Sequence, residues 1–253
     1  MAPSLFRTGP PDFVGVGTQR SGTTWWFETL LAHPQIRGPR SGLKEQHFFD
    51  RFCGRALTGR DIARYHARFP RRPGEIAGEW TPRYMHDFWT PPLIARAAPE
   101  AKLLVMVRDP IERFRSGVPH RLSRSADEHM VEVIGDAIER GRYASQLRRV
   151  LAWHDRSRIL ILQYERCRAQ PAAEYRRTLV FLGVDADHRS EVLQQQRGTT
   201  QQAVKTRLWD DLLDGLRATF EPEVAALARL APEIDLALWP NFAHLGRADA
   251  IAA

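Results

Sequence analysis

The feature that most constrains the fold of this chain is a glycine-bracketed loop, Gly17 to Thr24, between an apolar run and a helical pattern. The apolar run, Phe13 to Gly17, predicts a short buried strand. The helical pattern, Thr23 to His33, carries large apolar side chains at helical spacing and ends at Pro34. Backbone N–H groups in such a loop and at the start of such a helix attract anions. This strand–loop–helix unit predicts an α/β fold with an anion site after its first strand.

Strands and helices alternate along the rest of the chain. Lys102 to Val107 and Ile159 to Gln163 predict two more buried strands, and Asp109 with Pro110 marks the start of a helix. Helical patterns lie at 58–69, 90–98, 110–124, 130–153, 171–182 and 206–230, and the composition of 184–205 indicates a loop. We therefore predict one α/β domain, residues 1–253, with a mostly parallel central sheet flanked by helices.

The charge balance favours an anionic partner, because the chain has 37 Lys and Arg residues and 30 Asp and Glu residues, which gives a net charge of +7. The basic residues are spread along the chain without an arginine-rich tail, so we do not expect a nucleic-acid partner. No apolar run approaches the roughly 20 residues of a membrane span, and the N-terminus lacks a secretory pattern, so we expect a cytoplasmic protein. Cys53 and Cys167 are expected to be free thiols, and no Cys/His spacing indicates a metal site.

The loop departs from the phosphate loop of nucleoside triphosphatases at one position. The glycine spacing matches G-x-x-x-x-G-K-[ST], but Thr23 stands where that pattern has lysine. Phosphoryl transferases use this lysine on the outer phosphates of a nucleotide. Here the basic residue is Arg20, inside the loop, and hydroxyl groups follow at Ser21, Thr23 and Thr24. The loop predicts binding of one terminal oxyanion group. A nucleotide-dependent kinase and a non-catalytic nucleotide- or anion-binding protein remain alternatives.

The run from Gln19 to Trp25 resembles the 5′-phosphosulfate loop of sulfotransferases, which use 3′-phosphoadenosine 5′-phosphosulfate (PAPS) as donor. Most cytosolic and heparan-sulfate members carry lysine at the position of Arg20, whereas tyrosylprotein and many bacterial members carry arginine. The resemblance implies that the 5′-phosphosulfate is bound by Arg20, Ser21, Gly22, Thr23 and Thr24. It also implies that Arg20 contacts the bridging oxygen that leaves, where a guanidinium stabilises the developing negative charge.

A second motif follows the strand at Lys102 to Val107. The run from Arg108 to Ser116, R-D-P-I-E-R-F-R-S, resembles the 3′-phosphate signature of the same family. The resemblance implies that Arg108 and Ser116 hold the 3′-phosphate, and a guanidinium fork suits phosphate oxygens. We expect Arg113 and Arg115 to be solvated helix positions.

A third motif, K-E-Q-H-F-F-D at Lys44 to Asp50, resembles a stretch of the heparan-sulfate and bacterial branch. The resemblance implies that Glu45 is the general base that removes the proton of the acceptor hydroxyl, a role worth roughly 10²–10⁴ in rate. His47 is the alternative base, because imidazole titrates nearer neutrality. Lys44 is expected on the substrate side, where it would stabilise the transferring sulfonate.

A further stretch, E-W-T-P-R-Y at Glu79 to Tyr84, matches the family's E-K-T-P-x-Y with one departure. Trp80 replaces a lysine that faces sulfate and sugar in heparan-sulfate members. An aromatic side chain at this position predicts a flatter or less charged acceptor, with a core position as the alternative for Trp80. Tyr84 is also expected to contact the acceptor.

The family places a basic loop over the nucleotide near its C-terminus, and Arg197 and Lys205 are the candidates here. The resemblance covers residues 12–242. It predicts a PAPS-dependent sulfotransferase that needs no metal and transfers the sulfuryl group by in-line displacement to a hydroxyl of a small molecule or carbohydrate. The acceptor and the oligomeric state stay open.

Overall fold

The three apolar runs of the sequence form adjacent strands, from the centre to one edge, of a five-stranded sheet in the computed structural model, which describes residues 6–122, 129–193 and 210–249. Every strand pair in the sheet is parallel, and the order is β2-β3-β1-β4-β5. The strands are β1 (Phe13–Gly17), β2 (Ile36–Arg37), β3 (Ile76–Trp80), β4 (Lys102–Val107) and β5 (Ile159–Gln163). The predicted parallel sheet is confirmed, with β2 and β3 added to it. Those two strands escaped prediction because β2 has two residues and β3 reads I-A-G-E-W, without an apolar run.

Helices fill the connections much as the periodicity predicted. They are α1 (Thr23–Leu31), α2 (Gly59–His66), α3 (Thr90–Ala97), α4 (Pro110–Leu122), α5 (Met130–Glu139), α6 (Tyr143–Leu151), α7 (Tyr164–Ala169), α8 (Pro171–Leu182), α9 (Asp210–Leu230) and α10 (Ala243–Asp249). The prediction of a single helix at 130–153 is wrong, because the helix is interrupted at residues 140–142, between α5 and α6. Gly141 lies at this break, where a Cβ atom would come within 2.5 Å of the Phe220 ring of α9. The close approach of α9 therefore needs a glycine here.

The sheet is buried on both faces, as an all-parallel sheet requires. Side chains alternate along each strand, so Val14 and Val105 enter one hydrophobic cluster, and Phe13 and Leu104 enter the other. Helices α3, α4, α5, α6 and α9 contribute to the first cluster, and helices α1 and α8 to the second.

The strand order creates a place for a ligand. Strand β3 pairs with one side of β1, and β4, the next strand along the chain, pairs with the other side of β1. Ligands in such sheets bind at the carboxyl ends of the strands where the order switches. The glycine-bracketed loop follows β1 and Arg108 follows β4, so both predicted anion-binding motifs lie at this switch.

Within the described part of the chain, no helix is both long and apolar enough to cross a membrane. The two cysteines are free thiols as predicted, with Cys53 exposed and Cys167 buried.

Candidate functional site

The loop after β1 is held in one shape by its own hydroxyls and by β4. The Thr18 backbone N–H and Oγ1 both donate to the Met106 carbonyl, each at 2.9 Å, and Thr18 Oγ1 lies 2.6 Å from Ser21 Oγ. Gly22 has φ +89°, and a Cβ atom there would come within 2.6 Å of the Tyr164 ring. The loop thus requires glycine at this position for two independent reasons. Arg20 itself has φ +68°, an uncommon conformation for a residue with a side chain.

The structure brings the first two predicted motifs into contact. Arg20 donates from Nε and Nη2 to Ser116 Oγ on α4, at 3.2 and 3.0 Å. Arg108 reaches the carbonyl of Arg20 at 3.4 Å and lies over the Tyr164 ring, 4.9 Å from its centroid. Burial and the nearby charge of Arg108 lower the pKa of Arg20. Two guanidinium groups are therefore held side by side at the strand switch, where an anion would relieve their repulsion.

One atom of this pair has no partner among the described residues. Arg108 Nε is buried without a hydrogen bond, and Arg108 Nη2 lies 3.6 Å from Glu112 Oε2. A buried N–H group without an acceptor is costly, so it calls for an oxygen ligand. The residues present therefore fit a phosphate group next to Arg108.

Arg113 does not behave as predicted. It is buried, and its guanidinium donates to the Ala137 carbonyl in the last turn of α5. The prediction of a solvated position is wrong because the α4 face that carries Arg113 packs against α5, where a cation suits the helix C-terminus. Arg115 is partly exposed and lies 3.0 Å from Glu112, as expected for a helix surface position.

The turn that carries Arg108 is fixed by two carboxylates, the buried Asp109 and the partly buried Glu165. Asp109 Oδ1 accepts the N–H of Ile111 at 2.9 Å, which confirms the predicted N-cap, and Oδ2 accepts from Asn241 Nδ2 at 3.0 Å. Glu165 accepts the N–H of Asp109 at 3.0 Å and the indole N–H of Trp239 at 2.9 Å. Burial raises the pKa of both carboxyl groups. The C-terminal segment thus supports the position of Arg108, a link that the motifs alone did not indicate.

Lys44 brings its ammonium group to the start of α1, where the glycine-bracketed loop itself carries no lysine. Its Nζ is 3.1 Å from Thr23 Oγ1 and 3.0 Å from Thr24 Oγ1, at the start of α1. Thr23 occupies the lysine position of the triphosphatase pattern, so a distant segment supplies the ammonium group to the same helix end. Nζ also lies 3.0 Å from Glu45 Oε1. Burial lowers the pKa of Lys44, and Glu45 partly offsets this effect.

Glu45 belongs to a row of alternating charges. Its second oxygen lies 3.2 Å from His47 Nε2, and His47 Nδ1 lies 2.9 Å from Asp50 Oδ2. Hydrogen bonds to Asp50 and then Glu45 raise the pKa of His47 to about 10. Burial alone would raise the pKa of Glu45, but the bonds from His47 and Lys44 outweigh burial and lower it. Near neutral pH, Glu45 is therefore a carboxylate and His47 an imidazolium.

Trp80 and Tyr84 lie in the core of the fold. Both side chains are 0% exposed. The Trp80 indole donates to the Gly17 carbonyl at 3.0 Å, and its ring fills the space beside Gly15, where a Cβ atom would clash at 2.1 Å. Tyr84 accepts the N–H of Phe48 at 2.8 Å. The predicted acceptor contacts are wrong because both side chains pack inside the fold and hold neighbouring backbone.

The predicted nucleotide-covering residues Arg197 and Lys205 lie outside the described residues. Within the described ranges, no group of three or more His, Cys, Asp or Glu side chains is arranged to hold a metal ion.

Known proteins that are similar to this chain are sulfotransferases. The family model described as "Sulfotransferase domain" matches residues 10–209. The mouse heparan sulfate glucosamine 3-O-sulfotransferase 3B1 is 31% identical over 188 residues, which cover 69% of this chain and 46% of that protein. The human heparan sulfate glucosamine 3-O-sulfotransferase 6 is 33% identical over 202 residues, which cover 72% and 57%. The chain spans about half the length of these curated relatives.

Two solved structures show the same fold. A sulfotransferase from Alicyclobacillus acidocaldarius superposes with a TM-score of 0.71 and 26% identity, over 90% of this chain and 98% of that one. A sulfotransferase from Mycobacterium avium superposes with a TM-score of 0.53 and 15% identity, over 90% and 78% of the two chains.

Proposed function

This chain belongs to the sulfotransferase domain family, and from that premise we propose that it transfers a sulfuryl group from PAPS to a hydroxyl of a small-molecule or carbohydrate acceptor. The proposal rests above all on the junction of Arg20, Ser116 and Arg108, which gathers two cations and a hydroxyl from two strand ends at one switch point. The relatives named above are heparan sulfate sulfotransferases, which is consistent with a carbohydrate hydroxyl.

The donor would be held at both of its anionic ends. The loop from Arg20 to Thr24 and the start of α1 would bind the 5′-phosphosulfate, since N–H groups, hydroxyls and a guanidinium converge there. Arg108 would bind the 3′-phosphate, because its unpartnered Nε lacks an acceptor. Ser116 accepts from Arg20, so it also orients the guanidinium that faces the leaving oxygen. PAPS supplies the sulfuryl group on a phosphate leaving group.

Glu45 is our proposed general base. Its carboxylate shares the Lys44 ammonium with Thr23 and Thr24, so it lies one hydrogen-bonded group away from the phosphosulfate loop. His47 is an imidazolium near neutral pH because its pKa is raised to about 10, so it has no lone pair to accept a proton. The ionised Glu45 is ready to take the proton of the acceptor.

Transfer would proceed by in-line displacement. Glu45 takes the hydroxyl proton while the acceptor oxygen bonds to sulfur and the bond between sulfur and the phosphate oxygen breaks. Arg20 stabilises the charge that develops on the departing oxygen, and Lys44 stabilises the sulfonate during transfer. Positioning of both reactants by the loop and the base contributes the remaining rate enhancement.

The test is incubation of the purified chain with PAPS labelled with ³⁵S and a panel of hydroxyl acceptors, followed by mass spectrometry of labelled products. We expect a sulfated product and release of 3′,5′-adenosine bisphosphate. Label transfer that is unaffected by Arg20→Ala would overturn the role given to Arg20, and failure of the bisphosphate to stabilise the chain in a thermal-shift assay would overturn the proposed function.

A further inference from the structure

A buried carboxylate contacts the segment that carries the proposed base. Glu79, at the end of β3, is 0% exposed. Its Oε1 accepts the Tyr65 hydroxyl at 2.6 Å, and its Oε2 accepts the Thr81 hydroxyl at 2.6 Å and the backbone N–H of Gln46 at 3.1 Å. Burial raises the pKa of Glu79, and these donors oppose that effect. Burying a carboxylate is costly, and these three donors offset part of that cost.

The segment that Glu79 contacts carries the acceptor-side charges. Gln46 stands between Glu45 and His47, and its N–H is shared by Glu79 and by Thr81 Oγ1, the latter at 2.9 Å. His47 has φ +46°, which is uncommon for a residue with a side chain and persists only where surrounding contacts impose it. The backbone at Gln46 is thus the fixed point from which Glu45 and His47 project.

Neighbouring bonds fix the two ends of the same segment. The N–H of Trp80 donates to the Lys44 carbonyl at 3.1 Å, and the N–H of Phe48 donates to the Tyr84 hydroxyl at 2.8 Å. Tyr84 lies 3.4 Å from Glu79, so the bond network that holds the segment converges on this carboxylate.

We propose that Glu79 is a positioning residue for sulfuryl transfer, which fixes the Gln46 amide and thereby aims Glu45 at the acceptor hydroxyl. This inference rests on the proposed function. Glu79 touches neither donor nor acceptor, because its side chain is enclosed by Tyr65, Thr81 and Gln46. Its effect is therefore on turnover, with little effect on nucleotide binding.

The test compares Glu79→Met, which removes the acceptor oxygens at similar length, with Glu79→Gln. Misplacing a reacting group by about 1 Å can cost about 10²-fold, so we expect Glu79→Met to lower kcat at least ~10-fold and to change the KM for PAPS less than ~3-fold. Glu79→Gln should restore most of kcat, because its amide oxygen accepts the Gln46 N–H while tyrosine hydroxyls accept from its NH₂ group. Glu174→Met is the matched control, since Glu174 is buried on α8 and pairs with Arg177.

A double variant separates positioning from general loss of stability. If Glu79 acts through Glu45, then Glu79→Met should add little to the loss already caused by Glu45→Gln. An equal loss in both backgrounds, or an equal loss in Glu174→Met, overturns the inference. If Glu79→Met does not fold, Thr81→Val takes its place, because it removes the second acceptor of the Gln46 N–H.

A titration of His47 by NMR tests, independently of catalysis, whether Glu79 fixes the segment that carries Glu45 and His47. Hydrogen bonds to Asp50 and Glu45 raise the pKa of His47 to about 10, and displacement of the Gln46 backbone should weaken these bonds and bring this pKa down toward the ordinary value for histidine. An unchanged His47 titration in the folded variant overturns the inference. Normal turnover by Glu45→Gln would instead overturn the proposed base, and the titration would still decide whether Glu79 fixes the segment.

Discussion

Replacement of Arg108 by alanine tests the nucleotide site without knowledge of the acceptor. Arg108 has no strong hydrogen bond to give up, because its Nε is unpartnered and its contacts to Arg20 and Glu112 are 3.4 and 3.6 Å long. Two charge-assisted hydrogen bonds to a 3′-phosphate contribute roughly 1.5–3 kcal/mol each. Together they amount to about 3–6 kcal/mol, or roughly 10²–10⁴ in Kd.

The assay is isothermal titration calorimetry with 3′,5′-adenosine bisphosphate and with AMP, which lacks the 3′-phosphate. The wild-type chain should bind the bisphosphate at least ~10²-fold more tightly than AMP, and Arg108→Ala should remove most of this preference while changing AMP binding less than ~3-fold. Arg115→Ala, on the helix α4 that follows Arg108 and partly exposed, is the control and should keep the preference. Equal wild-type affinities for the two nucleotides, or equal losses for both in Arg108→Ala, would refute the reasoning.

Further predictions concern the metal requirement, the base and the pH dependence of stability. Transfer from PAPS should persist in EDTA, and ATP should not act as a donor; a reversible loss on chelation contradicts this. Glu45→Gln should lower turnover with an alkyl alcohol acceptor at least ~10²-fold, with bisphosphate affinity little changed and a smaller effect in His47→Asn. Near-normal turnover of the glutamine variant removes Glu45 from the mechanism. The pKa of His47 is raised from 6.5 to about 10, so its stabilising contribution is full below about pH 6.5 and is lost as the pH rises through about 10. Urea midpoints of the wild type and His47→Asn should therefore converge between pH 6.5 and pH 10, and a constant difference would count against the charged pair.

Local sequence patterns were sufficient to predict the central strands and the helices that follow them. A strand, a glycine loop and a helix in succession, and an Asp-Pro helix start after Val107, are short-range signals that need no knowledge of distant residues. The structure has both units in place, and Asp109 caps its helix as predicted. The strand β3 lacked such a signal, because Gly78 and Glu79 interrupt its apolar residues.

The role of each charged side chain depended on neighbours far away in the chain. Arg113 follows the same local pattern as Arg115, yet it is buried because α5 packs on its side of α4. Trp80 carried an apparent substrate signal by comparison with lysine at that position, but it fills the space that Gly15 leaves open.

The sequence by itself determined which residue types follow each strand, and therefore that an anion site lies at the carboxyl ends of a parallel sheet. Only the tertiary structure decided which of those charged residues pair with one another and which protonation state each one has. Lys44 meets Thr23 across 21 positions, and Glu79 meets Gln46 across 33. Burial and charge pairing, which set a pKa, are properties of the assembled surroundings of a group. The family resemblance already favoured Glu45 over His47 as the base, but the protonation states that support this choice follow from contacts that no spacing in the chain encodes.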